Sequence, residues 1–137
     1  MRDPSPDAGE GPTPVGCALG LAIGLFVVVG VNGGHALITG RSLDLADEWG
    51  VFLFQALIAG APFGLLALTG IRNRAPWLVG IAMTVAFWGY YFFEAVRYHL
   101  SGDTSGANIG LGLLMMVSPI IITAACFVTF GIQRSRS

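Results

Sequence analysis

VGCALGLAIGLFVVVGVNGGHALI, residues 15–38, is the stretch that decides the fold. It carries no charged residue, and an α-helix of about 20 such residues spans the roughly 30 Å hydrocarbon core of a bilayer. The stretch therefore predicts a transmembrane helix. Three further apolar stretches of similar length follow it, so we expect four helices, at about 15–38, 49–71, 76–98 and 107–131.

The composition also indicates a membrane protein. Of the 137 residues, 54% are apolar and only 11% are charged, whereas soluble domains carry about 25% charged residues. The net charge of −1 leaves no basic patch for a phosphate backbone, which excludes nucleic acid as a partner. Every basic residue is an arginine, which is typical of a GC-rich bacterial genome.

The segments between the four stretches are too short to fold independently, so consecutive helices should be antiparallel neighbours. This predicts an all-α integral membrane protein, an up-down four-helix transmembrane bundle over residues 15–131. Residues 1–14, rich in proline, glycine and acid, predict a disordered tail, and residues 132–137 a second, short polar tail. The connection Arg41–Glu48 predicts a loop, or alternatively a short amphipathic segment on the membrane surface.

Arginine placement predicts the orientation. With a cytoplasmic N-terminus, five arginines face the cytoplasm and two, Arg41 and Arg97, face the other side. The positive-inside rule therefore places both termini in the cytoplasm, and we expect a multi-pass protein of a bacterial inner (plasma) membrane. The five cytoplasmic arginines are Arg2, Arg72, Arg74, Arg134 and Arg136.

Glycines recur at helical spacing in the first two stretches. Because lipid gives helices no hydrophobic reason to associate, small residues that let backbones approach are the expected contact points. Two uses are open: self-association or contact with other membrane proteins, and packing within one chain. The glycines concerned are Gly16, Gly20, Gly24, Gly60 and Gly64.

Polar side chains concentrate at the predicted outer ends of the helices. Glu94 is the acid within a span, and such a group is a functional candidate. It could exchange protons in a transporter, or it could pair with Arg97 at the membrane interface. The candidate outer-leaflet polar site comprises Glu94, Arg97, Tyr90, Tyr91, Tyr98, His99, His35, Asn32, Gln55 and Asn108.

Two histidines, His35 and His99, end spans that leave the membrane on the same side. They could share a metal or haem, but their spacing matches no metal-binding motif. Interfacial side chains are the simpler interpretation, so we expect no metal site and no cofactor.

These observations favour a non-enzymatic accessory or assembly subunit of a larger membrane complex, since no phosphate loop, triad spacing or zincin motif is found in the sequence. A small homodimeric proton-coupled transporter or channel that uses Glu94 is the alternative. A haem or quinone redox subunit is a further one.

Overall fold

A computed structural model describes residues 14–42, 45–102 and 109–136. In these ranges the regular structure is helical, without strands, and comprises α1 (Pro14–Thr39), α2 (Leu45–Leu68), α3 (Arg74–Ser101) and α4 (Ile109–Arg134). Each of the four helices is long and apolar enough to cross a membrane. This confirms the expectation of an all-helical chain with four potential spans.

Several sequence predictions concern residues outside the described ranges. The tail at 1–13, Asn108 with the expected start of the fourth span at 107, and residue 137 are among them. At the other end, α4 continues to Arg134, so helix extends into the segment predicted as a polar tail from 132.

The second helix begins earlier than the apolar pattern predicts. It starts at Leu45 rather than at Trp49, and its first turn contains Asp47 and Glu48. Acidic side chains stabilise the N-terminal turn of a helix because the unpaired N–H groups there carry partial positive charge. Part of the expected loop is therefore helical, and Asp47 and Glu48 lie within α2, so Glu94 is not the only acid within the four helices.

The turn between α2 and α3 is closed by paired backbone groups. Gly70, with φ of +69°, ends α2 while the N–H of Ile71 donates to the carbonyl of Leu66 at 3.3 Å, a Schellman arrangement. The side chain of Asn73 then caps α3. The indole of Trp77 donates to the Ile71 carbonyl at 2.9 Å, which fixes the start of α3 against the turn.

The first two helices pack backbone against backbone through glycine. A Cβ on Gly24 would lie 2.6 Å from the carbonyl oxygen of Ala56, and one on Gly60 would lie 3.1 Å from the carbonyl oxygen of Gly20. As α1 advances from 20 to 24, its neighbours on α2 move back from 64 to 56, so the two helices run in opposite directions. Gly20, Gly24 and Gly60 thus serve packing within one chain.

Phe63 joins this helix pair to α3 and α4. Its side chain is fully buried, and a Cβ on Gly80 would meet both the Phe63 ring and the Cys126 sulfur at 3.1 Å. We call the region around Gly20, Gly24, Gly60, Phe63, Gly80 and Cys126 the closed half of the molecule.

The two internal prolines lie within helices that continue past them. Pro119 has no N–H to donate to the carbonyl of Met115, four residues earlier. The hydroxyl of Ser118 donates to that carbonyl instead, at 2.8 Å. Pro62, inside α2, is fully buried.

Candidate functional site

A second region, which we call the polar end, is built around an amide pair between α1 and α2. The Asn32 amide nitrogen donates to the Gln55 side-chain oxygen at 2.7 Å and to the Val28 carbonyl at 2.9 Å. Both N–H groups of Asn32 are therefore used. The amide nitrogen of Gln55 has no hydrogen-bond partner within residues 14–42, 45–102 and 109–136.

Two further contacts tie the helices together at the polar end. The rings of His35 on α1 and His99 on α3 meet edge to face, with centroids 5.8 Å apart. Arg41, just after α1, forms an ion pair with Glu48 in the first turn of α2 at 3.1 Å. The histidine contact joins helices far apart in sequence, whereas the Arg41–Glu48 ion pair closes the short connection from α1 to α2 across seven residues.

These groups surround a cavity of about 330 Å³, at the small end of the roughly 300–1,000 Å³ range of small-molecule sites. Its wall combines hydrogen-bonding, aromatic and charged side chains, an arrangement suited to a small polar ring-shaped molecule. The principal lining residues are Asn32, His35, Arg41, Ser42, Glu48, Phe52, Gln55, Tyr91 and Phe92.

Glu94 does not line this cavity; on α3 the lining residues are Tyr91, Phe92 and Ala95. Its carboxylate lies 3.6 Å from the guanidinium of Arg97, and the Glu94 side chain is 15% exposed against 70% for Arg97. The geometry is that of a partly sheltered carboxylate beside an outward-pointing arginine. It matches the ion-pair interpretation of these two residues.

The remaining sequence candidates differ in exposure. Tyr90 is exposed, Tyr98 and Tyr91 are half-buried, and Asn108 is outside the described ranges. The structure thus brings Asn32, His35, Gln55 and Tyr91 together around one cavity, with His99 in contact through its ring.

Two further polar side chains lie deeper and were not identified from the sequence. Thr84 and Trp88, one turn apart on α3, are 1% and 3% exposed, and their hydroxyl and indole N–H have no hydrogen-bond partner among the described residues. Threonine and tryptophan are common in membrane helices, so only tertiary packing distinguishes these two.

Both side chains line a second, apolar groove of about 610 Å³ between α1 and α3. Val31 and Phe92 line the groove as well as the polar cavity. The two spaces are therefore adjacent along the α1–α3 seam.

The geometry offers no group of three metal-binding side chains within residues 14–42, 45–102 and 109–136. Comparison of the whole chain with protein-family models, curated proteins and solved structures gives no match.

Proposed function

We propose that this protein is a non-enzymatic accessory subunit of a larger membrane complex, and that it presents a groove between α2 and α4 to a transmembrane helix of a partner subunit. The groove has a volume of about 390 Å³ and is lined by Ala61, Leu65, Pro119, Ile120, Thr123 and Ala124. This surface is the observation that carries the proposal.

The small side chains in this groove favour a helix as the occupant. Ala61 and Ala124 are exposed on neighbouring helices, and small residues let another helix backbone approach closely in lipid. Thr123 adds a hydroxyl that can bond across a helix interface. Gly20, Gly24 and Gly60 are already engaged inside the chain, so the partner surface is assigned to α2 and α4.

The placement of Glu94 supports this role over that of a transporter coupled through its carboxylate. Glu94 is paired with Arg97 and is absent from the cavity lining. The cavity itself is confined to the polar end, while the closed half is filled by packed side chains such as Phe63 and Cys126.

The proposal includes the orientation: an up-down bundle in a bacterial inner membrane with both termini in the cytoplasm. It is supported by the opposite directions of α1 and α2 and by the arginine distribution. Reporter fusions after Arg134 and within the 43–44 connection should report opposite sides of the membrane.

The subunit role is tested by native mass spectrometry of the tagged protein, solubilised from its own membrane in mild detergent. We expect a heteromeric assembly that Ala124→Leu disrupts by filling the groove. Ala86→Leu, on an exposed alanine of α3 outside both grooves, is the matched control and should leave the assembly intact. A protein that runs only as a free monomer or homodimer would overturn the proposal.

The transporter alternative has its own test. Glu94→Gln should leave proton movement in proteoliposomes unchanged, because we assign no coupling role to the carboxylate. A substrate-dependent proton flux that is lost in Glu94→Gln but retained in Arg97→Gln would establish the transporter instead.

A further inference from the structure

We infer that the polar cavity and the α1–α3 groove together form one binding site for a tailed quinone, with the ring in the cavity and the isoprenoid or alkyl tail in the groove. This inference goes beyond the accessory role and does not depend on it, since it uses a different surface. The argument rests on the continuity, the hydrogen-bonding groups and the charge of the two spaces.

The cavity and the groove lie next to each other and share two lining residues. Val31 on α1 and Phe92 on α3 line both the cavity of about 330 Å³ and the groove of about 610 Å³. The groove is otherwise lined by apolar side chains and by Gly30 and Gly89, around the deeply buried Thr84 and Trp88. A molecule with a polar head and a long apolar tail fits a polar cavity that lies next to an apolar groove.

The hydrogen-bonding groups of the cavity fit a carbonyl-bearing head. The Gln55 side-chain oxygen accepts from Asn32 at 2.7 Å. The Gln55 amide nitrogen, which carries two donors, has no hydrogen-bond partner among the described residues. The His35 ring lies edge to face with the His99 ring, and among the described residues its nitrogens have no hydrogen-bond partner. A quinone presents two carbonyl oxygens, which are acceptors for donors of this kind.

The charge of the cavity disfavours a phosphate head. Arg41 is the arginine in its wall, and it is paired with Glu48 at 3.1 Å. An anionic phospholipid would have to compete with that carboxylate for the guanidinium. A flat, uncharged ring instead finds Phe52, Tyr91 and Phe92 around it, and aromatic rings pack favourably against one another.

The test uses a decyl-tailed benzoquinone and the full chain in detergent micelles, with the bound adduct counted by native mass spectrometry. Gly89→Leu should fill the groove without disturbing the fold, because no atom lies within 4 Å of a Cβ at Gly89. Gly112→Leu, on α4 and equally unobstructed, is the matched control. His35→Phe removes the ring donor but keeps an aromatic contact to His99.

We expect one quinone per chain in the wild type and in Gly112→Leu, and binding weaker by about tenfold or more in Gly89→Leu and in His35→Phe. If His35→Phe does not fold, Ala36→Leu, which fills the cavity from α1, replaces it. Equal quinone binding in all variants would mean unspecific partition into the micelle and would overturn the inference. Displacement of the quinone by stoichiometric phosphatidylglycerol would also overturn it, since the site would then be one for phospholipid.

Discussion

The closed half and the polar end are held together by different forces, although α1, α2 and α3 contribute to both. In the closed half, backbones touch at Gly20, Gly24 and Gly60. Dispersion contacts hold these helices together, because lipid provides no hydrophobic effect between them. At the polar end, side chains reach across wider gaps through Asn32–Gln55 and Arg41–Glu48, and a cavity remains between them. Close packing therefore leaves no room for a ligand, whereas polar cross-links do.

The largest effect should come from a methyl group added in the closed half. Gly24→Ala places a Cβ 2.6 Å from the Ala56 carbonyl oxygen. Because a backbone carbonyl cannot rotate out of the way as a flexible side chain can, we expect a loss of about 1–3 kcal/mol in the free energy of unfolding. Gly33→Ala, in the same helix with no atom within 4 Å, is the control and should be neutral or slightly stabilising. Unfolding in mixed detergent micelles measures both; equal stability of the two variants would contradict glycine packing as the basis of the closed half.

A smaller effect should separate two buried hydroxyls. Ser118 and Thr84 are each 1% exposed, but only Ser118 has a hydrogen bond among the described residues, to the Met115 carbonyl beside Pro119. Ser118→Ala should therefore lower the free energy of unfolding by about 1 kcal/mol. Thr84→Val removes an unpartnered hydroxyl without changing the shape, so it should be neutral or stabilising. The same unfolding assay measures both variants. A greater loss in the free energy of unfolding for Thr84→Val than for Ser118→Ala would contradict the assignment of Thr84 as the hydroxyl without a partner.

The smallest effect should appear at the polar end, in the amide pair. Hydrogen bonds between membrane helices have coupling energies of about 0.6 kcal/mol on average, so we expect Asn32→Leu and Gln55→Leu to couple by this amount in a double-mutant cycle. Each single change leaves an amide unpaired, and the double change should recover part of the loss. Additive effects of the two changes would show that the pair does not hold α1 to α2.

The sequence predicts the number of helices well because each span needs a long apolar stretch, and such stretches are readable one at a time. Helix ends are harder to predict from the sequence. The helix α2 begins four residues before Trp49, because Asp47 and Glu48 favour a helix start although they interrupt the apolar pattern. The turn after α2 follows from Gly70 and Asn73, whose types indicate a helix end and a helix start.

The candidate site was predicted only in part. Polar residues that cluster at one end of the helices can be grouped from the sequence, since depth along a span can be counted, and Asn32, His35 and Gln55 of this group line one cavity. Which way a side chain faces depends on helix rotation, and this is set by contacts such as Gly24 with Ala56 that many small residues could equally have made. For that reason the sequence does not indicate that Glu94 lies outside the cavity lining, and it does not single out Thr84 and Trp88.

The position of Phe63 makes one side chain depend on two parts of the chain. The glycine contacts between α1 and α2 involve residues 20–64 alone, so these two helices contain everything that their own backbone packing needs. The Phe63 ring is different, because its surroundings include Trp77, with ring centroids 5.9 Å apart, and Gly80 on α3. The full burial of this ring is therefore a property of the first helix pair and α3 together, and a chain cut after α2 would expose it.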